Sequence, residues 1–474
     1  MIAKPSKSSP AVALVVLALL CSPAQAQRPP RTDPAPLTVE QQRNVERLRA
    51  AALASDHGYD IVEDLVTRIG PRRAGSPQEA QARDWAVAML RADGFADVHV
   101  EDFTVPTWEA TRQEAAVVTP VGPRPLVIAA LGGSASTPTG GLEADVVRFA
   151  NLTALQAADD KIVLGRIVYI DEPMARTQDG SGYGVAVAKR GGCAAPAQAK
   201  GAVACLIRSV GTNQDRYAHQ GGSPRQAAGV RLPVAALSPA DSTVLTGLMA
   251  RGPVRVRLDI DARTTDDAPS GNVIADVRGR ERPAEIVLAA AHLDSWNLGH
   301  GAIDDGAGVA IVTAAARLVA QLPQRPRRTI RVFLAGSEEI GGNGGVAYGR
   351  AHANDQHVLA AESDFGADSV WRVRTRFGAG RESYAAALQA ALAPLSIVPG
   401  IERAGGGTDI HPLQQAGVPI VDLDQDGTRY FDVHHTADDT LHMIDRAQLR
   451  QNIAAWAVML YLAADTDWDF RAAP

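Results

Sequence analysis

The residues with the most chemical content lie between Ala290 and Gly308, in the run AAHLDSWNLGHGAIDDGAG. His292 and Asp294 follow an apolar run, 286–291, with the length and composition of a buried strand. Asp304 and Asp305 then lead through a Gly-Ala-Gly turn into a helical pattern. Imidazole and carboxylate are the usual ligands of zinc, and strand ends hold them rigidly. A carboxylate two residues beyond the histidine is placed to orient its ring.

Three further stretches repeat the theme. Glu338 and Glu339 follow the strand pattern 329–335 and precede Gly341-Gly342. Unpaired buried charge is costly, so adjacent glutamates at a buried strand end need partners. One can bind metal while the other serves as general base toward a metal-activated water; a solvated acidic loop is the bland alternative. Asp364 follows the apolar residues 358–360, where a lone aspartate is more often a turn or cap residue. His434 and His435 precede Asp439-Thr440 and read either as a ligand with a substrate-facing neighbour or as a packed turn. The set weighs more than any member, because each stands at the end of its own strand-like segment. Ligands of open α/β sheets gather along that edge.

The elements that must position these residues follow from periodicity. A helix over 38–54 is capped by Thr38, and a second over 76–94 has Ala82, Trp85, Ala86, Met89 and Leu90 on one face. A strand over 96–105 follows. From about 123 the pattern changes to short strand pieces at 126–131, 145–149, 161–170 and 254–260, with one helical piece at 194–200. Beyond 268, strands at 272–277, 285–291 and 329–335 alternate with a helix at 305–321 that begins at Asp305. This predicts an α/β fold: a mostly parallel central sheet covered by helices on both faces, split by an inserted β-rich domain. In residue numbers, 27–122 is the N-terminal segment and first part of the main domain, 123–268 the insert, and 269–474 the second part.

Composition narrows the function classes. The chain has 474 residues, enough for two or three domains. A net charge of −6 with no basic cluster argues against a nucleic-acid partner. Residues 1–26 read as a signal peptide: Lys4 and Lys7, an apolar run over 11–21, then Ala24-Gln25-Ala26. The run is too short to span a membrane. A lipid anchor on Cys21 is disfavoured by Leu20, where a small residue is expected. Export to the periplasm or outside the cell follows, with no membrane span. Cys193 and Cys205 then read equally as a disulfide or as two small buried side chains. A homodimer is left open.

On these motifs the chain resembles the co-catalytic dizinc exopeptidases, a family that includes secreted aminopeptidases, and within it the carboxypeptidase Q-like members. The resemblance rests on His-Leu-Asp-Ser-Trp (292–296), Gly-Ala-Ile-Asp-Asp-Gly (301–306), Glu338-Glu339, Asp364, Gly-Gly-Gly-Thr-Asp-Ile (405–410), Ala-Gly-Val-Pro (416–419) and His-His-Thr (434–436). Residues 185–212 also look like the protease-associated domain inserted in relatives. The resemblance implies two zinc ions per chain: His292 and Asp364 on one, Glu339 and His435 on the other, Asp304 bridging. It further implies Glu338 as general base, Asp294 as the orienting partner of His292, and Thr408 and Asp409 as substrate-loop candidates. Many relatives carry tyrosine where this chain has His434, which is expected to hydrogen-bond the developing oxyanion. His300 and His411 read as supports that hydrogen-bond the ligands or as structural residues. The implied activity is hydrolysis of dipeptides or short peptides. Aminopeptidase action on longer peptides and a single-zinc, glutaminyl cyclase-like transfer are the alternatives.

Overall fold

The computed structural model describes residues 1, 32–222 and 231–471, so the signal-peptide reading of 1–26 lies, apart from Met1, outside the described residues. Four parallel strands form the centre of the sheet, in the order Ile420–Gln425, Gln356–Glu362, Arg282–His292, Arg328–Ala335. Antiparallel strands flank them: Val370–Arg376 beside the first and Arg255–Val277 beside the last. The sheet is thus parallel where the predicted site lies and mixed overall.

Alternation along the strands shows that both faces are covered. Val287, Ala289 and Ala291 pack into one apolar cluster, with the helices Val39–Leu53, His57–Arg68, Ala307–Ala320 and Arg446–Asp465. Leu288 and Ala290 pack into another, with Tyr348 and Leu413 from the helices Asn343–Ala351 and His411–Gln415. Continuous burial of 286–291 is what a strand covered on both sides requires.

The helix boundaries follow their caps. Thr38 Oγ1 accepts from the Gln41 N–H, while the Thr38 N–H donates to Gln41 Oε1, a reciprocal capping box. Ser76 caps Pro77–Ala92 with one bond, its Oγ accepting from the Glu79 N–H, and proline stands in the first turn.

The region 123–268 differs from the β-rich expectation. Leu142–Phe149, Ile167–Ile170, Ala204–Arg208 and Val234–Leu237 pair in parallel, and Leu152–Ala157, Ser181–Ala186, Ala188–Gly192, Ala194–Ala199 and Pro239–Met249 are helical. It is α/β. Most of these helices span one or two turns, too few to print a 3.6-residue period. The strand expected over 161–170 divides into the helix Asp160–Val163, capped by the Asp159 carboxylate, and Ile167–Ile170.

The strands expected at 96–105, 254–260 and 272–277 also extend further. Ala96–Val117 and Arg255–Val277 pair antiparallel along most of their length, and the second strand runs through the 268 limit of the predicted insert. The polar stretch 264–267 stays in the strand because Thr107 and Trp108 pair with it. Trp108 is buried in an apolar cluster with Ile167, Leu206 and Val256, and its Nε1 donates to Ser134 O at 2.9 Å. Cys193 and Cys205 form a disulfide that ties the short helices to the strand Ala204–Arg208.

Candidate metal centre

The C-terminal ends of the four parallel strands bring the predicted residues together. His292 is the last residue of Arg282–His292 and pairs in register with Ala335, which leads directly into Glu338 and Glu339. Asp364 follows Gln356–Glu362, and His434 and His435 follow the short helix Tyr430–Val433. Two of the turns sit in the left-handed region without glycine, at Ser337 (φ 62°) and His435 (φ 61°). Such backbone is uncommon and persists where surrounding structure enforces it.

Asp304 lies at the middle of the constellation. Its Oδ1 is 3.1 Å from His292 Nε2, which is itself 3.3 Å from Asp364 Oδ1. Its Oδ2 is 3.0 Å from His435 Nε2, which is 3.0 Å from Glu339 Oε2. Two donor sets, His292/Asp364 and His435/Glu339, therefore share one carboxylate. His434 also comes near, with Nε2 3.6 Å from Asp304 Oδ2, so distance alone would admit it as a donor. Its ring stacks on His435 with centroids 3.5 Å apart.

Other neighbours depart from the sequence reading. Asp294 meets His292 through its main chain: His292 Nδ1 is 3.0 Å from Asp294 O, while the carboxylate is 3.7 Å away. That carboxylate accepts instead from the Glu338 and Glu339 N–H groups. Asp305 is buried and non-helical, not the first residue of the helix. Its carboxylate accepts from the His292 and Gly308 N–H groups, joining strand end to helix start. Thr408 lies beside the Glu338 carboxylate and opposes the rise that burial causes. Asp409 is buried beside Glu362, with neither carboxylate oxygen partnered. The glycine loop brings backbone close to protein carboxylates: a Cβ at Gly407 would lie 2.2 Å from Glu362 Oε1, and the Gly405 and Gly406 N–H groups donate to Asp422. His300 and His411 are exposed.

Three residues escaped the motif search or gained a role. Glu362 accepts from the Asp409 and Ile410 N–H groups; its place at a strand end two residues before Asp364 is a legible signal. Asp439 accepts from the Ile303 and Asp304 N–H groups, fixing the central aspartate. Arg72 is fully buried and donates to the carbonyls of Leu293, His300 and Gly301. A lone arginine far upstream carries no local signal for that task.

The electrostatics call for a cation. Burial pushes Glu339 up to about 8 despite His435. Burial, then Asp364 and Glu338, drive Glu362 to about 8. Burial also raises Glu338, and Asp439 to about 7. Burial opposes charge on His292, but Asp364 and Asp304 outweigh it and hold the ring well above its ordinary range. Glu339 and Asp304 do the same for His435. Asp304 Oδ2, too poorly aligned with His435 to hydrogen-bond, and Glu339 Oε1 lack hydrogen-bond partners. Buried orphan carboxylate oxygens facing imidazole nitrogens fit a divalent metal, and a His/Asp/Glu donor set fits zinc.

Asp304, Glu338, Glu339, Asp364, His434 and His435 line a cavity of about 960 Å³ whose wall also includes Trp108, Tyr183, Val187, Arg190 and Trp296. Fold and donor set together define a metal-dependent hydrolase. The model of peptidase family M28 matches residues 272–460. Mouse carboxypeptidase Q is 33% identical over 87% of this chain and 86% of its own length. A peptidase M28 precursor from Shewanella amazonensis is 43% identical, covering 92% of this chain and 99% of that structure, with a TM-score of 0.89. A zinc aminopeptidase from Bacillus subtilis shares the fold at 22% identity, with 88% and 97% coverage and a TM-score of 0.63. The chain belongs to peptidase family M28 and is a hydrolase.

Proposed function

We propose that this chain is a dizinc exopeptidase that cleaves dipeptides or short peptides. The observation that carries the reading is the position of Asp304, one carboxylate between two separate His/carboxylate sets. In this reading His292 and Asp364 hold one zinc, Glu339 and His435 the other, and Asp304 both. Bound zinc lowers the pKa of water and polarises the scissile carbonyl.

The remaining chemistry belongs to the chain. Glu338 lines the cavity beside Thr408, and the Asp294 carboxylate holds it by accepting its main-chain N–H. It takes the proton of the attacking water and returns it to the leaving amine. Burial and the neighbouring His435 hold His434 well below its ordinary pKa, so its ring is neutral and donates a hydrogen bond to the developing oxyanion. On a dipeptide, amino- and carboxypeptidase action describe one cleavage. A shared aspartate between two donor sets speaks against the single-zinc cyclase reading.

Two further elements of the reading concern context. The residues 123–268 are a protease-associated-like unit, supported by the apolar cluster around Tyr169 and Leu206, to which Trp108, Ala115 and Val117 of the preceding strand also belong. Export is supported by the Cys193–Cys205 disulfide, which suits an oxidising compartment. A dipeptide-panel assay with zinc counted per chain tests the function. Cleavage with two zincs bound is expected. No dipeptide cleaved at two zincs, or full activity at one, overturns it.

A further inference from the structure

Arg190 is a buried cation at the active-site cavity with half of its guanidinium unused. It lies in the helix Ala188–Gly192, is 3% exposed, and lines the same cavity as Asp304, Glu338, Glu339 and His434. Nη1 donates to Tyr183 Oη at 3.0 Å, and the Tyr183 ring meets the His434 ring edge-on with centroids 5.4 Å apart. Nε and Nη2 have no hydrogen-bond partner. Those two nitrogens form the side-on edge of the guanidinium, which a carboxylate grips with two parallel hydrogen bonds. The group sits in a made slot: a Cβ at Gly221 would come within 2.4 Å of Nη1.

An unpaired buried guanidinium is costly unless an anion completes it. None of the described carboxylates pairs with Arg190. The cavity wall also carries four acids, Asp304, Glu338, Glu339 and Asp364. A substrate carrying both a free ammonium and a free carboxylate would therefore enter in one orientation, its carboxylate away from the acids.

We propose that Arg190 binds the free C-terminal carboxylate of the substrate through Nε and Nη2, with Tyr183 fixing the guanidinium. The substrate class is then short peptides with an unblocked C-terminus. This rests on the exopeptidase reading above and adds a specificity-determining residue to it.

The test compares kcat/KM for Ala-Leu and its C-terminal amide, both cleaved at the same peptide bond. Wild type is expected to prefer the acid by about 30-fold or more, the loss seen when one partner of a buried hydrogen-bonded charge pair is missing. Arg190→Gln should erase that preference, the acid falling mainly through KM and the amide holding its rate. Arg190→Lys, which keeps charge but not the fork, should recover only part. Equal cleavage of acid and amide by wild type overturns the proposal and leaves the peptidase reading intact. So does an acid preference that survives in Arg190→Gln, which would move the anchor elsewhere, for instance to the exposed Arg231 of the cavity wall. Cleavage of neither compound by wild type overturns both. If Arg190→Gln does not fold, the wild-type comparison and Arg190→Lys decide.

Discussion

Asp294 Oδ1 accepts the main-chain N–H of Glu338 at 2.9 Å, so the aspartate beyond the first histidine holds the turn that carries both glutamates. Its Oδ2 takes the Glu339 N–H in the same way, and its main-chain oxygen meets the His292 ring. One residue thereby couples two neighbouring strand ends. The coupling is needed because Ser337, just before the pair, sits in the left-handed region and would relax if the turn were free.

Replacing Asp294 by alanine should therefore weaken the metal centre without removing a ligand. Loss of such an outer partner typically costs about 10–100-fold in metal affinity or activity. Chelator competition on Asp294→Ala should show zinc lost at lower chelator concentration than in wild type. Unchanged retention would mean the turn holds itself.

Glu338→Gln and His434→Ala should separate chemistry from metal binding. Each is expected to lose turnover by about 10²–10³-fold, the scale of a removed general base or oxyanion donor. Zinc content by mass spectrometry should stay at the wild-type value in both. An equal loss of zinc and turnover in His434→Ala would make it a ligand, a role its 3.6 Å approach to Asp304 keeps geometrically open.

His219 predicts an acid-side instability. Its ring is fully buried, with Nδ1 2.7 Å from His434 O and Nε2 3.2 Å from Asn213 Oδ1. With Nδ1 donating, Nε2 must accept, so the Asn213 amide belongs in the flipped orientation that offers it Nδ2, otherwise unpartnered. Burial lowers the ring from 6.5 to about 3. A depressed folded pKa contributes stability that is present above 6.5 and lost as pH falls toward 3. The melting temperature of His219→Gln should drop less than that of wild type between pH 7 and pH 4. Parallel pH profiles would exclude His219 as the source.

Glu79 works in the other direction. It is buried, accepts from the Gly75 N–H and Ser270 Oγ, and burial with the charge of Asp294 raises it to about 7. A raised folded pKa gives stability that is full below 4.5 and lost as pH rises through 7. The melting-temperature advantage of wild type over Glu79→Gln should shrink from pH 5 to pH 8. A constant gap would mean Glu79 does not titrate in that window.

The Cys193–Cys205 disulfide closes a loop of sequence separation 12. Replacing both cysteines by serine should cost about 3 kcal/mol, the chain-entropy value for a loop near that length. Denaturant unfolding measures it, and an unchanged midpoint would show the bond to be absent in solution.

The linear sequence determined which residues could meet. His292, Glu338, Glu339 and Asp364 each follow an apolar run of strand length, and a parallel sheet delivers such residues to one edge. Thr38 and Ser76 marked helix starts because a cap acts within three residues. What acts within a few residues is legible from spacing. Tertiary structure alone decided that Asp304 presents one oxygen to each donor set, that Asp294 acts through its carboxylate on Glu338, and that Arg72 holds the 293–301 loop from 221 residues away in sequence. It also decided that 123–268 folds as α/β and that Arg190 reaches the cavity with its fork unpaired. Those outcomes depend on strand order, register and burial, which bring distant side chains within hydrogen-bond range and which no local period encodes.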